Sequence, residues 1–311
     1  MELVRYIHNL KSQHRGCVIT IGNFDGVHIG HQAVINQLQE HAARTSLPRV
    51  VMMFEPHPLE YFNPGGAPPR LTSFRDKVQW LAEHDIDRVV CLRFQKLLAE
   101  MPAETFVSSI LIDKLGARII VIGDDFRFGK DRGGDFALLE SMQGDGGFDV
   151  ISTQTLLTGG ERVSSSRIRN LLTNDRFDEA ALLLGRPFSI SGRVIHGDKR
   201  GRQLGIATAN LALKRERSPI QGVFAVSIHG TQIGKFRGVA NIGNRPVFSG
   251  EEVLLEVHIL DFDKDIYGDH LQVDFHHKLR AEQKFASVDE LVVQIRKDIE
   301  QAREYFETSE K

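Results

Sequence analysis

The run Cys17-Val-Ile-Thr-Ile-Gly-Asn-Phe-Asp-Gly-Val-His-Ile-Gly-His31 decides the fold of the first half of the chain. Its first five residues are apolar apart from one threonine, which predicts a buried strand. Apolar side chains then recur at helical spacing at Val34, Ile35 and Leu38. Glycines between the two elements permit a tight turn and a close approach of a ligand to the backbone. The run therefore predicts a strand, a turn and a helix in direct succession.

Further apolar strands alternate with helical patterns up to about residue 185. Strands are predicted at residues 17–21, 49–54, 88–92 and 118–122, and helices near residues 74–84, 102–115 and 135–143. Strands that are apolar along their length and separated by helices favour a parallel sheet covered on both faces. We therefore expect an α/β domain with a Rossmann-like parallel sheet over residues 1–185.

After about residue 186, short strands are separated by turn-rich segments. They are predicted at residues 190–195, 222–228, 254–260 and 271–275. This spacing is typical of a small antiparallel barrel or sandwich. A final helix is predicted with Ser287 as its N-cap and a buried stripe of Val288, Leu291, Val292, Ile295, Ile299, Ala302 and Phe306. The second domain is expected over residues 186–311.

The composition is that of an ordinary globular protein, with 41% hydrophobic and 26% charged residues. A net charge of −2 provides no bulk field to attract nucleic acid or anionic lipid. Cys17 and Cys91 lie in apolar runs and are interpreted as reduced core residues. The sequence has neither the pattern of a signal peptide nor an apolar run as long as a membrane span. We expect a cytoplasmic protein that binds neither nucleic acid nor membranes.

His28 and His31 lie three residues apart and therefore share one face of the first helical turn. In a parallel sheet, ligands bind at the carboxyl ends of the strands, where helix N-termini present N–H groups to phosphates. Two imidazoles at this place can donate hydrogen bonds to phosphate oxygens and stabilise a phosphorus transition state. The alternatives are surface histidines or a pair of metal ligands. The length of the motif and its unusual glycine and histidine content favour the phosphate site.

Two other segments are expected at the same edge of the sheet. The fourth predicted strand runs into Gly123-Asp-Asp-Phe-Arg-Phe-Gly129, which supplies acidic and basic groups. Val163-Ser-Ser-Ser-Arg-Ile-Arg169 precedes an apolar helical pattern, where a serine can cap the helix and Arg167 or Arg169 can bind a triphosphate. A serine cap alone is common in structural helices. The three segments together favour a nucleotide site.

The second half lacks a Gly-x-x-x-x-Gly-Lys-Ser/Thr loop, so a P-loop kinase is disfavoured. In the turn-rich run of residues 201–210, Thr208 and Asn210 can hold a metal–nucleotide complex. Strand alternation places Glu256 opposite its apolar neighbours Leu255 and Val257. At a barrel mouth Glu256 can act as a general base, although alternation alone favours a solvent-facing glutamate.

His28-Ile-Gly-His31 resembles the signature of class I aminoacyl-tRNA synthetases and of small-molecule nucleotidyltransferases, but the lysine-rich second signature of the synthetases is absent. A larger set of segments resembles the bifunctional prokaryotic riboflavin kinase/FAD synthetase family. These segments are residues 22–31, 54–58, 123–129 and 163–169 in the first half, and 192–194, 201–210, 222–226, 238–246, 255–262 and 280–285 in the second. The resemblance covers essentially the whole chain.

The resemblance implies two sequential reactions. Residues 186–311 would convert riboflavin and ATP to FMN and ADP, and residues 1–185 would convert FMN and ATP to FAD and diphosphate, with Mg²⁺ in both modules. The implied partners are riboflavin, FMN, FAD and ATP, and the expected state is a monomer or a weak homo-oligomer.

The resemblance also implies roles for particular residues. The catalytic residues would be His28, His31 and Glu256, and Glu256 would take the proton of the riboflavin 5′-hydroxyl. Thr208 and Asn210 would bind Mg²⁺ with ATP. Nucleotide-binding residues of the first module would be Gly22, Asn23, Phe24, Asp25, Gly26, Asp124, Asp125, Arg127, Ser164, Ser165 and Arg169. Those binding nucleotide or flavin in the second would be Gly197, Gly201, Arg202, Gly205, Thr208, Asn210, Asn241, Arg245 and Arg280.

Two positions depart from the family pattern. Ala207 stands where the family usually has proline, and Val247 where it usually has threonine. Loss of a proline removes a fixed φ angle and can loosen the nucleotide loop, so kinase activity is expected with altered efficiency. Two alternatives stay open: an adenylyltransferase for another phosphorylated metabolite, and a flavin- or nucleic-acid-binding protein on a degenerate scaffold.

Overall fold

A computed structural model describes residues 1–196, 206–213, 215, 217–230, 233–247 and 250–309, with the backbone alone at 245–247 and 250–252. The chain forms two compact units. The first comprises Met1–Pro68 and Phe74–Ser164, and the second comprises Pro69–Ser73 and Ser165–Lys311.

The first unit is built on a six-stranded sheet in the order β1-β4-β3-β2-β5-β6, and all neighbouring strands are parallel. The strands are β1 Glu2–Arg5, β2 Cys17–Ile21, β3 Arg49–Glu55, β4 Arg88–Arg93, β5 Ala117–Gly123 and β6 Asp149–Thr153. The four predicted strands are confirmed as β2 to β5. The edge strand β1 was not predicted because it buries one of its four residues and carries no apolar run.

Helices cover both faces of this sheet, as the apolar strands predicted. They are α1 Ile29–Thr45, α2 Pro58–Phe62, α3 Phe74–Glu83, α4 Lys96–Ala99, α5 Ala103–Phe106, which continues into a π-helix at Val107–Lys114, α6 Phe136–Ser141 and α7 Gln143–Gly146. A hairpin of β7 Leu157–Thr158 and β8 Glu161–Arg162 ends the unit. Alternate residues of β2 enter two separate apolar clusters. Cys17 and Cys91 are buried free thiols, which confirms their interpretation as core residues.

The second unit is built around a closed barrel in the order β10-β13-β12-β11-β14-β9, with antiparallel pairing between neighbours. The strands are β9 Phe188–Ile195, β10 Ala209–Ala212, β11 Gly222–Gly230, β12 Gly234–Val247, β13 Gly250–Ile259 and β14 His270–Arg280. Of the two predicted architectures, the barrel is confirmed. The long strand β12 was not predicted because its glycines and Pro246 indicate turns in the sequence.

In the described part of the second unit, three helices accompany the barrel: α8 Ser165–Thr173, α9 Phe177–Leu184 and α10 Val288–Ser309. Ala302 and Phe306 of α10 pack against Val223, Ala225 and Val239. The predicted buried stripe of α10 is confirmed as buried only at Ala302 and Phe306. Leu291, Val292, Ile295 and Ile299 are half-buried, and Val288 is 57% exposed at the helix start. No helix among the described residues is long and apolar enough to cross a membrane.

The two units divide the chain at a different place from the predicted modules. Residues 165–184, which the sequence analysis assigned to the first domain, lie in the second compact unit. Compactness does not define where one activity ends and the next begins. The module boundary at 185/186 therefore stays a prediction.

Candidate active sites in the two units

The turn between β2 and α1 has an unusual backbone. Phe24 and Val27 have φ angles of 49° and 41°, and Gly26 has a φ of 86°. Positive φ is unfavourable for large side chains and persists only where surrounding contacts impose it, most often at functional sites. Phe24 and Val27 are both buried. Their packing therefore holds the predicted turn in one conformation.

His28 lies at the N-cap of α1, where the helix fixes its imidazole. Its Nδ1 accepts a hydrogen bond of 3.3 Å from the main-chain N–H of His31. In a neutral imidazole whose Nδ1 accepts, the proton is on Nε2. A Cβ at Gly30 would lie 3.2 Å from two atoms of the His28 ring. Glycine at this position therefore leaves room for the imidazole.

The His31 ring stacks on the His28 ring, with centroids 3.6 Å apart and planes 18° apart. On another side it contacts the ring of Phe24, at a centroid distance of 5.0 Å. Within the described part of the chain, the buried Nδ1 of His31 has no hydrogen-bond partner. Burial, followed by the charges of His28, Lys77 and Arg162, holds the pKa of His31 well below its ordinary value. The free site therefore contains a neutral imidazole with an unused nitrogen.

Lys77 of α3 contributes a buried ammonium group to the same turn. It is 4% exposed, and its Nζ donates a 2.6 Å hydrogen bond to the main-chain oxygen of Asn23. Among the described residues, the buried side-chain oxygen of Asn23 has no hydrogen-bond partner. Sequence reasoning missed Lys77, although its position four residues before the buried Leu81 places both on the inner face of α3.

The acidic and basic residues after β5 bond to other residues of the first unit. The Asp124 carboxylate accepts from the Thr155 hydroxyl at 2.7 and 2.9 Å. Arg127 approaches Asp135 at 3.9 Å and donates to the oxygen of Phe126. The structure thus gives Asp124 and Arg127 partners on neighbouring segments of the first unit.

Asp125 is paired with Arg162 at 2.7 Å, and this hydrogen bond lowers the pKa of Asp125. Arg162 is also one of the cations that lower the pKa of His31, so the ion pair carries charge close to the histidines. Arg162 was not among the predicted site residues. It directly precedes the serine segment 163–169, so its place beside that segment was the only indication in the sequence.

The serine segment begins beside the start of α1. The carbonyl oxygen of Val163 lies 3.6 Å from the position that a Cβ at Gly30 would take. Ser164 follows directly, and α8 begins at Ser165 in the second unit. Within that unit the Nε of Arg169 donates a 2.6 Å hydrogen bond to the oxygen of Pro69.

An aromatic cluster with two exposed rings lies at the carboxyl ends of β3 and β4. It consists of Phe54, Tyr61, Phe62 and Phe94, whose contacting rings are 5.3 to 5.8 Å apart. Phe62 is 64% exposed, which is unusual for so large an apolar side chain. Residues 54–58 belong to the segments that carry the family resemblance, but their sequence did not predict the cluster.

In the second unit, three predicted residues are neighbours across adjacent strands. Glu256 of β13 pairs in register with Asn210 of β10 on one side and with Asn241 of β12 on the other. Residues paired in register lie on the same face of a sheet. All three are half-buried. Sequence alternation gave the correct face for Glu256, because Leu255 is buried on the opposite face.

The segment before β10 is attached to β13. A ring nitrogen of His258 lies 2.8 Å from the main-chain oxygen of Ala207, and Thr208, the next residue, is exposed. Ala207 is the position where the family usually has proline. Gly197, Gly201, Arg202 and Gly205, together with the side chain of Arg245, lie outside the described residues.

Arg280 ends β14 and is paired with Val223, which is itself paired with Asn241. Its guanidinium binds the carboxylate of Asp298 on α10. Sequence reasoning predicted Arg280 but missed Asp298.

Among the described residues, no group of three or more His, Cys, Asp or Glu side chains could hold a metal ion. Mg²⁺ commonly uses only one or two protein ligands together with substrate phosphates, so the oxygen donors Thr208 and Asn210 stay the predicted ligands of Mg-ATP.

Comparison with known proteins covers both units. A family model described as FAD synthetase matches residues 10–167, and one described as riboflavin kinase matches residues 184–306. A bifunctional riboflavin kinase/FMN adenylyltransferase from Escherichia coli is 50% identical, over 98% of each chain. The protein of that name from Pseudomonas fluorescens is 49% identical over 97% of each chain. The chain belongs to the bifunctional riboflavin kinase/FMN adenylyltransferase family.

A related protein from Haemophilus influenzae, of the same name, is 44% identical over 98% of this chain and 99% of its own. A crystal structure of a protein described as a macrolide-efflux protein from Streptococcus pneumoniae has a TM-score of 0.81 and 31% identity. It covers 97% of this chain and 99% of its own. Family membership confirms the two predicted activities and their order along the chain, and the structural match confirms the fold class.

Proposed function

We propose that the turn of residues 22–27 and the stacked pair His28 and His31 form the site at which FMN is adenylylated. The observation that carries this proposal is the buried Nδ1 of His31, which has no hydrogen-bond partner among the described residues, together with the nearby cations of Lys77 and Arg162. Helix α1 begins here, and its N-terminal N–H groups favour phosphate. An oxygen of the FMN phosphate attacks the α-phosphorus of ATP as the bond to the β-phosphate oxygen breaks, which releases diphosphate.

In this step the protein supplies no nucleophile. Catalysis consists of positioning the two phosphates in line and stabilising the charge that develops. His28 would donate from Nε2, and His31 would contribute its buried Nδ1. The anionic triphosphate favours a protonated imidazole and so opposes the factors that keep His31 neutral in the free site. Gly22, Asn23, Phe24, Asp25 and Gly26 are assigned to the nucleotide, together with Asp124, Asp125, Arg127, Ser164, Ser165 and Arg169.

The aromatic cluster of Phe54, Tyr61, Phe62 and Phe94 is proposed to receive the flavin ring of FMN. Planar aromatic ligands stack on exposed aromatic side chains. The cluster lies at the carboxyl ends of β3 and β4, and His28 follows the same end of β2, which is the strand next to β3 in the sheet. This proximity supports binding of both substrates at one edge.

For the kinase reaction, Glu256 is proposed to take the proton of the riboflavin 5′-hydroxyl while that oxygen attacks the γ-phosphorus of ATP and ADP leaves. Asn210 and Asn241 lie on either side of Glu256 in the sheet. Asn210 and Thr208 would hold Mg-ATP, and the metal would shield the phosphate charge. The adenylyl transfer is likewise proposed to use Mg-ATP. The other residues proposed to bind nucleotide or flavin in this module are Gly197, Gly201, Arg202, Gly205, Arg245 and Arg280.

The proposed module boundary lies at 185/186, and the proposed ligands are riboflavin, FMN, FAD and ATP. A cytoplasmic location and a monomer or weak homo-oligomer complete the proposal. Incubation with riboflavin, Mg²⁺ and ATP, followed by chromatography, should yield FMN first and FAD later. Incubation with FMN in place of riboflavin should yield FAD directly. FMN that accumulates without FAD would contradict the adenylylation site, and the absence of FMN would contradict the kinase site.

A further inference from the structure

Helix α10 has a carboxylate on its buried face. Asp298 is 1% exposed and lies four residues before the buried Ala302. Burying a carboxylate is unfavourable unless its oxygens are paired and hydrogen-bonded. An apolar residue would satisfy the packing of α10 at a lower cost, so the acid at this position requires another explanation.

Both oxygens of Asp298 are bound by Arg280. The guanidinium Nε lies 2.9 and 3.1 Å from Oδ1 and Oδ2, and Nη2 lies 2.8 Å from Oδ2. The amide of Gln294, one turn earlier on α10, donates to Oδ1 at 2.9 Å. The Arg280 guanidinium also lies over the ring of Phe285, 5.7 Å from its centroid. These contacts fix the plane of the guanidinium.

Arg280 lies at the end of a row that crosses the barrel. Arg280 pairs with Val223, Val223 with Asn241, Asn241 with Glu256, and Glu256 with Asn210. The proposed kinase base and Arg280 are thus at the same level of five adjacent strands.

A guanidinium has five N–H donors. Nε and one N–H of Nη2 bind Asp298, and one N–H of Nη1 donates to the oxygen of Ala281 at 3.0 Å. The other two N–H groups have no acceptor among the described residues. They are suited to an anionic oxygen of a phosphate.

We propose that Asp298 is a positioning residue of the riboflavin kinase reaction. It holds the Arg280 guanidinium so that the two remaining N–H groups bind a phosphate of ATP. This inference rests on the proposed kinase site. It makes α10 a functional part of the second unit, because Asp298 acts on the substrate only through Arg280.

The test compares Asp298→Asn with a control on the same helix. Arg303 of α10 binds Asp261 at 2.7 and 2.9 Å, and both side chains are exposed. Arg303→Gln therefore also breaks an ion pair of α10 without touching Arg280. Asp298→Asn should lower kcat/KM for riboflavin phosphorylation by about 100-fold, as expected when a binding group is misplaced. Arg303→Gln should leave kcat/KM within about twofold. FAD formation from supplied FMN should be unchanged in both.

A double-mutant cycle separates positioning from a structural role. In the Arg280→Ala background, Asp298→Asn should cause no further loss of kcat/KM, because its only route to the substrate is already removed. A further loss of the same size as in wild type would overturn the inference, as would a kcat/KM of Asp298→Asn equal to that of wild type. If Asp298→Asn does not fold, Gln294→Ala is measured in its place, with a smaller loss expected that again vanishes in the Arg280→Ala background. A wild-type chain that makes no FMN would instead refute the proposed kinase site.

Discussion

At the scale of single residues, the histidine site depends on groups that come from distant parts of the sequence. The motif predicted His28 and His31, because their spacing alone places them on one face of a helix start. Lys77 and Arg162 could not be predicted in the same way, since only the packing of α3 and the hairpin brings their charges to the turn. Sequence motifs identify residues that share an element, whereas residues that support them from other elements need the fold.

Replacement of Lys77 tests this support. Lys77→Met keeps the apolar stem but removes the hydrogen bond to the oxygen of Asn23. A hydrogen bond to a charged group contributes about 1.5–3 kcal/mol, so adenylylation of FMN should fall by roughly 10- to 100-fold while riboflavin phosphorylation is unchanged. Steady-state kinetics of both reactions provide the measurement. Lys96→Met, at a side chain that is 79% exposed, is the matched control. Equal adenylylation rates for both variants would show that Lys77 plays no part.

Titration of His31 provides a second test at this scale. Burial and the neighbouring cations lower the pKa of His31, so in the free protein its ring should stay neutral as the pH falls through about 6.5, the ordinary histidine value. The unfolded chain then binds the proton first. The contribution of His31 to stability is therefore full above about pH 6.5 and decreases toward the folded-state pKa. NMR titration, with the resonance assigned by comparison with His31→Gln, measures this pKa. A midpoint at or above 6.5 would disprove the prediction.

At the scale of elements, prediction succeeded where one pattern dominated. The strand of residues 17–21 was predicted with its observed bounds because all five residues are buried. β12 was not predicted because its residues at 234, 238 and 243 are glycines. Pairing with β11 and β13 nevertheless holds it in an extended conformation. In α10 the helical period was correct, but a polar residue at 298 occupies the buried face.

The packing of α10 on the barrel leads to a stability prediction. Phe306 is 7% exposed among Val223, Ala225 and Val239, and the Arg237 guanidinium lies 5.1 Å from its ring centroid. Phe306→Ala should lower the free energy of unfolding by about 3 kcal/mol, measured by urea denaturation with circular dichroism.

The matched control is Val293→Ala on the same helix, at a position that is 53% exposed. It should change the free energy of unfolding by no more than about 0.5 kcal/mol. If Phe306→Ala were no more destabilising than this control, the packing of α10 on the barrel would not contribute to stability as described.

At the scale of the whole molecule, the change of pattern near residue 186 predicted two architectures and, with the family resemblance, two activities in the correct order. The net charge of −2 argues only against a bulk electrostatic attraction to nucleic acid and anionic lipid. The assignment of residues 165–184 to a compact unit depends on tertiary packing. The local sequence pattern of α8 and α9 does not predict that packing.

The central claim is that one chain carries two separate sites, one at His28 and His31 and the other at Glu256. The most direct measurement follows FMN and FAD over time in wild type, His31→Ala and Glu256→Gln. His31→Ala should form FMN from riboflavin at the wild-type rate but lose FAD formation by at least about 100-fold. Glu256→Gln should lose FMN formation and still convert supplied FMN to FAD. Loss of both activities in either folded variant, or wild-type FAD formation by His31→Ala, would contradict the claim.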